Sequence, residues 1–254
     1  MEIFIILVFI LGFLVSILAS VAGIGGGAFY TPILHFIVGL NIVNALAVAS
    51  IGIFIGSFLS SIIYMRRGVA DIGIALPILA GEIITSSIAT YLTRYLRREI
   101  FYVILSGVLL YNSIRLLSNR GRADKDLKRK PNFLELFLLG LFTGFIAPLA
   151  GIGGGVIVVP TLITLYGVES KVATASSLLI IAFNYFIVTS IHIYLGNLIY
   201  VYGISLATGI IFGSLIGTKL HKISKPFHIR LIIGLIALFF GIYTIYRLYL
   251  SLIS

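Results

Sequence analysis

Polar and apolar positions fall along this chain in blocks. Apolar runs cover about 3–22, 44–65, 70–92, 99–118, 134–150, 172–195, 201–218 and 229–250. A helix of roughly 20 apolar residues crosses the ~30 Å hydrocarbon core of a bilayer, so most of these runs read as membrane spans. Two further apolar pieces, 28–38 and 156–166, are too short to cross alone. Each follows a cluster of glycines and carries a proline, Pro32 or Pro160. The first run ends in "SILASVAG", which resembles a secretory cleavage site. It carries Glu2 and no basic residue at its start, and the same run-plus-glycine pattern returns at 134–155, so it reads as the first membrane segment.

The pattern occurs twice. At a constant offset of 128, Gly23, Gly25, Gly26 and Gly27 meet Gly151, Gly153, Gly154 and Gly155; Pro32 meets Pro160, Gly39 meets Gly167 and Gly81 meets Gly209. The expectation is a duplicated unit: a first membrane repeat at 1–118, a basic cytoplasmic linker at 119–133 and a second membrane repeat at 134–254. The fold class that follows is an all-α polytopic membrane protein of two inverted repeats. Each has a Gly-broken or re-entrant segment plus three full spanning helices, which makes 8–10 membrane segments in all.

Composition agrees with the membrane reading, and charge orients it. Hydrophobic residues make up 60% of the 254 and charged residues 10%, with a mean hydropathy of +1.18, where a soluble domain carries about 25% charged residues. Cytoplasmic loops accumulate Lys and Arg. Inverted repeats with the linker inside place fourteen of the eighteen basic residues on the cytoplasmic side and leave Arg94, Arg97, Arg98 and Arg247 outside. Parallel repeats would split them ten against eight. The inverted arrangement puts both termini outside the cytoplasm, in the cell membrane. The net charge of +10 is then a topological signal with attraction to anionic lipid, and no nucleic-acid partner is expected. Cysteine is absent, which excludes disulfides and thiolate metal sites.

Glycine costs about 1 kcal/mol relative to Ala inside a helix, so a run such as Gly23 to Gly27 breaks one. Non-helical backbone at membrane depth is tolerated where protein buries it or where it lines a polar cavity. A short helix opening after such a loop offers free N–H groups and a positive dipole end to an anion. The two glycine phrases therefore read as two halves of one anion site. Close helix packing is the plainer use of membrane glycines. It fits the small residues spaced by four at Gly209, Gly213 and Gly217, and at Gly81, Thr85 and Ala89, which read as packing between the repeats.

The phrases "GIGGGAFYTPIL" (23–34) and "GIGGGVIVVPTLI" (151–163) are each followed by a small, hydroxyl-bearing stretch, "ALAVASI" (45–51) or "VATASSLL" (172–179). On these residues the chain resembles the TauE/SafE sulfite exporter family over essentially its whole length. The resemblance implies a membrane transporter, an exporter of sulfite, organosulfonates or related sulfur anions. It also implies a substrate site at Gly23, Gly25, Gly26, Gly27, Gly151, Gly153, Gly154 and Gly155, with hydroxyls from Ser176 and Ser177. In the first half the serine pair reads Ala49–Ser50, which leaves Ser50 alone and the two half-sites unequal. Serine in an apolar helix also bonds its own backbone.

Glu82 lies mid-segment in "DIGIALPILAGEIITSSIATYL", where an ionisable side chain is by default a functional candidate. It is the proton-coupling candidate; a neighbouring helix or a wet vestibule could equally satisfy it, and no partner is evident in the sequence. Its counterpart at the 128 offset is Ile210. Thr31 and Asn184 are pathway candidates that could instead bond between helices. His35, His192, His221 and His228 form no ligand spacing, so no metal or cofactor is expected. The expected partners are a small anionic substrate and the lipid bilayer. An intramembrane enzyme, an anion channel, a carrier of another small anion or organic acid and a cation carrier are the rival readings. The enzyme lacks an ionisable pair and the cation carrier lacks carboxylates and His along the path; saturable counterflow would separate a carrier from a channel.

Overall fold

The computed structural model describes residues 2–22, 27–118, 131–220 and 226–253. Gly23, Gly25 and Gly26 lie outside the described residues, as do linker positions 119–130 and His221. The described chain is helical, with no strand. Ten α-helices follow in order: α1 (Glu2–Ala22), α2 (Gly27–Pro32), α3 (Ile42–Arg66), α4 (Ile72–Leu92), α5 (Arg98–Ser118), α6 (Phe133–Ala150), α7 (Gly155–Tyr166), α8 (Ser170–Tyr194), α9 (Tyr200–Leu220) and α10 (Pro226–Ile253). Among the described residues five helices are long and apolar enough to cross a membrane: Ile42–Arg66, Ile72–Tyr95, Phe133–Ala150, Ser170–Tyr194 and Tyr200–Gly217. At 1.5 Å per residue, α3 reaches about 37 Å and α7 only about 18 Å. This is a multi-pass membrane protein.

Local chemistry sets the ends. Asn41 and Asp71 cap α3 and α4 by accepting from Asn44 N–H (2.8 Å) and Ile74 N–H (3.3 Å). Asn132 and Glu135 form a reciprocal capping box at the start of α6. Gly151 and Gly167 close α6 and α7 in the left-handed conformation, at φ 64° in both, where a side chain would be strained. The two short helices differ. α7 runs twelve residues through Pro160, whereas α2 runs six and passes into a π turn over Ile33–Ile37 that presents His35 Nδ1 to Leu40 O (2.7 Å) and Nε2 to Tyr102 OH (3.2 Å).

Helices that correspond at the 128 offset take equivalent places in the packing. α1 lies along α9 and α6 along α4; α3 meets α8, and α5 meets α10. α2 packs on α3 as α7 packs on α8. Both long crossings use small residues in one register. A Cβ at Gly81 would strike Phe137 O, one at Gly140 the Ile78 carbonyl, and one at Gly144 the Glu82 backbone. On the other side, a Cβ at Gly209 would strike Phe9 O and one at Gly213 Phe13 O and Ser16 Oγ. Backbones therefore touch across each crossing, as small residues permit. The packing expected from Gly209, Gly213 and Gly81 is present, between segments on opposite sides of the linker. Side chains follow the membrane pattern: Ile6, Ile10, Phe186 and Phe212 face outward, while Ser86, Thr90, Thr143 and Asn184 are buried.

Candidate functional site

The second glycine phrase is a loop between two helix ends. Gly151 N–H bonds Ala147 O (2.8 Å) and ends α6, and Gly153 at φ 73° turns the chain. Gly153 N–H donates to Tyr185 OH (3.0 Å), and that hydroxyl donates onward to Ala147 O (3.1 Å), tying the loop to α8 and to the end of α6. The first bonds closing α7 run from Ile157 and Val158 N–H to Gly154 O. The N–H groups of Gly154, Gly155 and Val156 precede them and have no acceptor within the helix. They are the positive end of α7.

The two glycine phrases meet. A Cβ on Gly27, the described residue of the first phrase, would strike Ile152 O and come within 2.9 Å of Gly153 N. Thr31, in α2, donates from Oγ1 to Gly151 O (2.6 Å). Segments more than a hundred residues apart are thus in backbone contact, and Thr31 is a strut between them.

Glu82 stands beside this contact. It is fully buried in α4, and a Cβ on Gly154 would fall on its Oε1. Two neighbouring helices supply it with neutral partners that the sequence did not identify. Thr143 of α6 lies 2.8 Å from Oε1, and Asn184 Nδ2 of α8 donates to Oε2 (2.8 Å). Ser86 Oγ donates to Asn184 Oδ1 (2.6 Å), which turns the amide N–H toward the carboxyl. Neither partner is adjacent in sequence, and helix packing alone brings them together. Asn184 therefore serves the carboxyl directly.

The serine pair divides, because successive residues of a helix point about 100° apart. Ser176 Oγ accepts from Asp71 N–H (2.9 Å) at the start of α4. Ser177 Oγ, 1% exposed, has no hydrogen-bond partner among the described residues and lies against Gly155, where an added Cβ would come within 2.8 Å of it. Ser50 donates to Ala47 O (2.7 Å) and accepts from Thr189 (3.1 Å), within α3 and between α3 and α8. The structure thus brings Glu82, Asn184, Gly153, Gly154, Gly155 and Ser177 into one neighbourhood and leaves Ser50 and Ser176 in structural bonds.

Thr143 and Tyr185 are the residues that the sequence reading missed. A signal was present for Thr143: at the 128 offset Glu82, Thr143 and Asn184 correspond to Ile210, Val15 and Gly56. All three are polar in one half and apolar or small in the other. Among the described residues no three His, Asp or Glu side chains converge. The chemistry within reach is hydrogen bonding to an anion by N–H and hydroxyl groups, beside a carboxyl.

Residues 8–244 match the family model described as sulfite exporter TauE/SafE. A "probable membrane transporter protein" of Methanocaldococcus jannaschii is 28% identical over 252 residues, covering 92% of this chain and 94% of that one. Another protein of the same description, from Bacillus subtilis, is 23% identical over 269 residues, covering 96% and 98%. No solved structure matches the chain.

Proposed function

Because the chain belongs to the sulfite exporter TauE/SafE family, we propose that it exports small sulfur oxyanions, sulfite or organosulfonates, across the cell membrane. The site is the junction of the two glycine phrases near the midplane, and access alternates as one inverted repeat rocks against the other. The observation that carries this reading is the backbone contact of Gly27 with Ile152 and Gly153, braced by Thr31. Paired broken segments meeting inside a membrane bundle are a common way to build a substrate site in transporters with internal repeats. The N–H groups at the start of α7, which have no acceptor within the helix, and the Ser177 hydroxyl, without a partner among the described residues, supply donors to an oxyanion.

The equivalence of α1 with α6 and of α9 with α4 in the packing supports the duplication, and the fourteen-to-four bias of basic residues supports its inversion. Glu82 beside Gly154 supports coupling to a proton.

The test is sulfite flux into proteoliposomes, with sulfate, thiosulfate and taurine as competitors and with or without an imposed pH gradient. Saturable uptake that disappears in Gly27→Leu and Gly154→Leu is the expected result. Absence of flux for every one of these anions in folded protein rejects the sulfur oxyanion assignment.

A further inference from the structure

Three observations at the start of α7 point the same way. The N-terminal end of the twelve-residue helix lies beside a carboxyl of the protein's own, Glu82, whose Oε1 stands where a Cβ on Gly154 would fall. The second is Ser177, a hydroxyl 1% exposed and without a partner among the described residues, aimed at Gly155. It is a donor left over once the carboxyl is served. The third is Thr143, whose Oγ1 lies 2.8 Å from Glu82 Oε1 and 2.9 Å from Leu139 O. A hydroxyl has one proton to donate. Given to Glu82, it stabilises a carboxylate; given to Leu139 O, it leaves Oγ1 free to accept from a protonated carboxyl. The Asn184 N–H bond to Oε2 can persist in both cases. Both protonation states of Glu82 are therefore hydrogen-bonded without moving a helix.

We propose that Glu82 is a tethered anion: its carboxylate balances the positive end of α7 from beside Gly154 while the site is empty, and it takes up one proton from the medium when a substrate oxyanion supplies that charge at Gly154, Gly155 and Ser177. This rests on reading the second glycine phrase as the substrate site. For a monoanion the charge at the helix end is unchanged by loading, because the proton neutralises the carboxylate that the anion replaces. Transport is then one proton with each monoanion.

The groups facing Glu82 allow this. From α8 it meets Asn184, with the neutral Tyr185 next in sequence and His192 two turns further along. α6 contributes Thr143, and its acidic residue, Glu135, lies in the first turn. α7 carries no charged residue, and Lys171 of α8 and Asp71 before α4 lie at segment starts.

The experiment uses the full chain in lipid. Infrared difference spectra between the wild type and Glu82→Gln, without anion and at neutral pH, read the state of the empty site. A carboxylate band assigned to Glu82 is expected, and the carbonyl band of a protonated carboxyl there overturns the proposal whatever the substrate is. Methanesulfonate, whose charge is fixed across the working range, is then titrated in weakly buffered vesicles. The wild type is expected to take up one proton per bound anion and to lose affinity about tenfold per pH unit on the alkaline side of the transition, the slope for one linked proton. Glu82→Gln is expected to bind with no proton uptake and no pH dependence. Binding without proton uptake in the wild type, or with equal uptake in Glu82→Gln, overturns the proposal. Thr143→Val is expected to move the midpoint of this pH profile and Thr143→Ser to restore it; a midpoint unmoved in both removes Thr143 from the switch. Failure to bind any sulfur oxyanion, with the carboxylate band present, rejects the substrate assignment and leaves the tethered carboxylate standing.

Discussion

At the scale of single residues, two adjacent serines in α8 have opposite hydrogen-bonding surroundings. Ser176 satisfies the Asp71 N–H at the start of α4, while Ser177 satisfies nothing among the described residues. Removing the first hydroxyl orphans a backbone donor, and removing the second relieves a buried polar atom. Ser176→Ala is therefore expected to destabilise the protein by about 1 kcal/mol, and Ser177→Ala to be neutral or stabilising by up to about 1 kcal/mol. Thermal unfolding in detergent reads both. The same pair should reverse order in an anion-binding assay, with Ser177→Ala the weaker binder. Glu82 was legible from its depth alone, since a carboxyl about ten residues from either end of an apolar segment has no access to bulk water. Thr143 carries no signal in its local sequence, and only its contrast with Val15 at the 128 offset marks it before α6 is laid on α4.

Helix lengths and limits were legible to within a few residues because apolar runs and capping residues are local properties; the eight long runs correspond to α1, α3, α4, α5, α6, α8, α9 and α10. Pairing of helices is not local, yet glycine spacing exposed part of it, as at Gly81 and Gly209. The π turn over Ile33–Ile37 left no trace in the sequence, which carries a proline in the same place in both short helices. The crossing of α4 and α6 also yields a prediction. A Cβ at Gly140 would strike the Ile78 carbonyl, whereas one at Gly107 in α5 meets nothing within 4 Å. Gly140→Ala is expected to cost about 1–3 kcal/mol by overpacking, while Gly107→Ala gains up to about 1 kcal/mol from helix propensity. Melting temperatures of the two variants should move in opposite directions. A fall of equal size in both would mean that the backbone contact at Gly140 is not what holds these helices at their spacing.

For the molecule as a whole, the arrangement of the halves decides how a substrate is handed across. Two halves related by an axis in the membrane plane make inward-open and outward-open states mirror one another, so rocking about a fixed site exposes it to either side. Parallel halves have no such exchange. The distinction can be measured at two positions separated by the 128 offset. Arg66 ends α3 and Tyr194 ends α8, both are exposed, and the chain has no cysteine to confuse labelling. In inverted halves these equivalent helix ends lie on opposite faces. Arg66→Cys is expected to react with a membrane-impermeant maleimide only from the cytoplasmic side and Tyr194→Cys only from outside, in sealed vesicles of known orientation. Labelling of both from one side would make the halves parallel. The exchange of inward-open and outward-open states by symmetry-equivalent movements of the two halves would then fail even if sulfite flux were found.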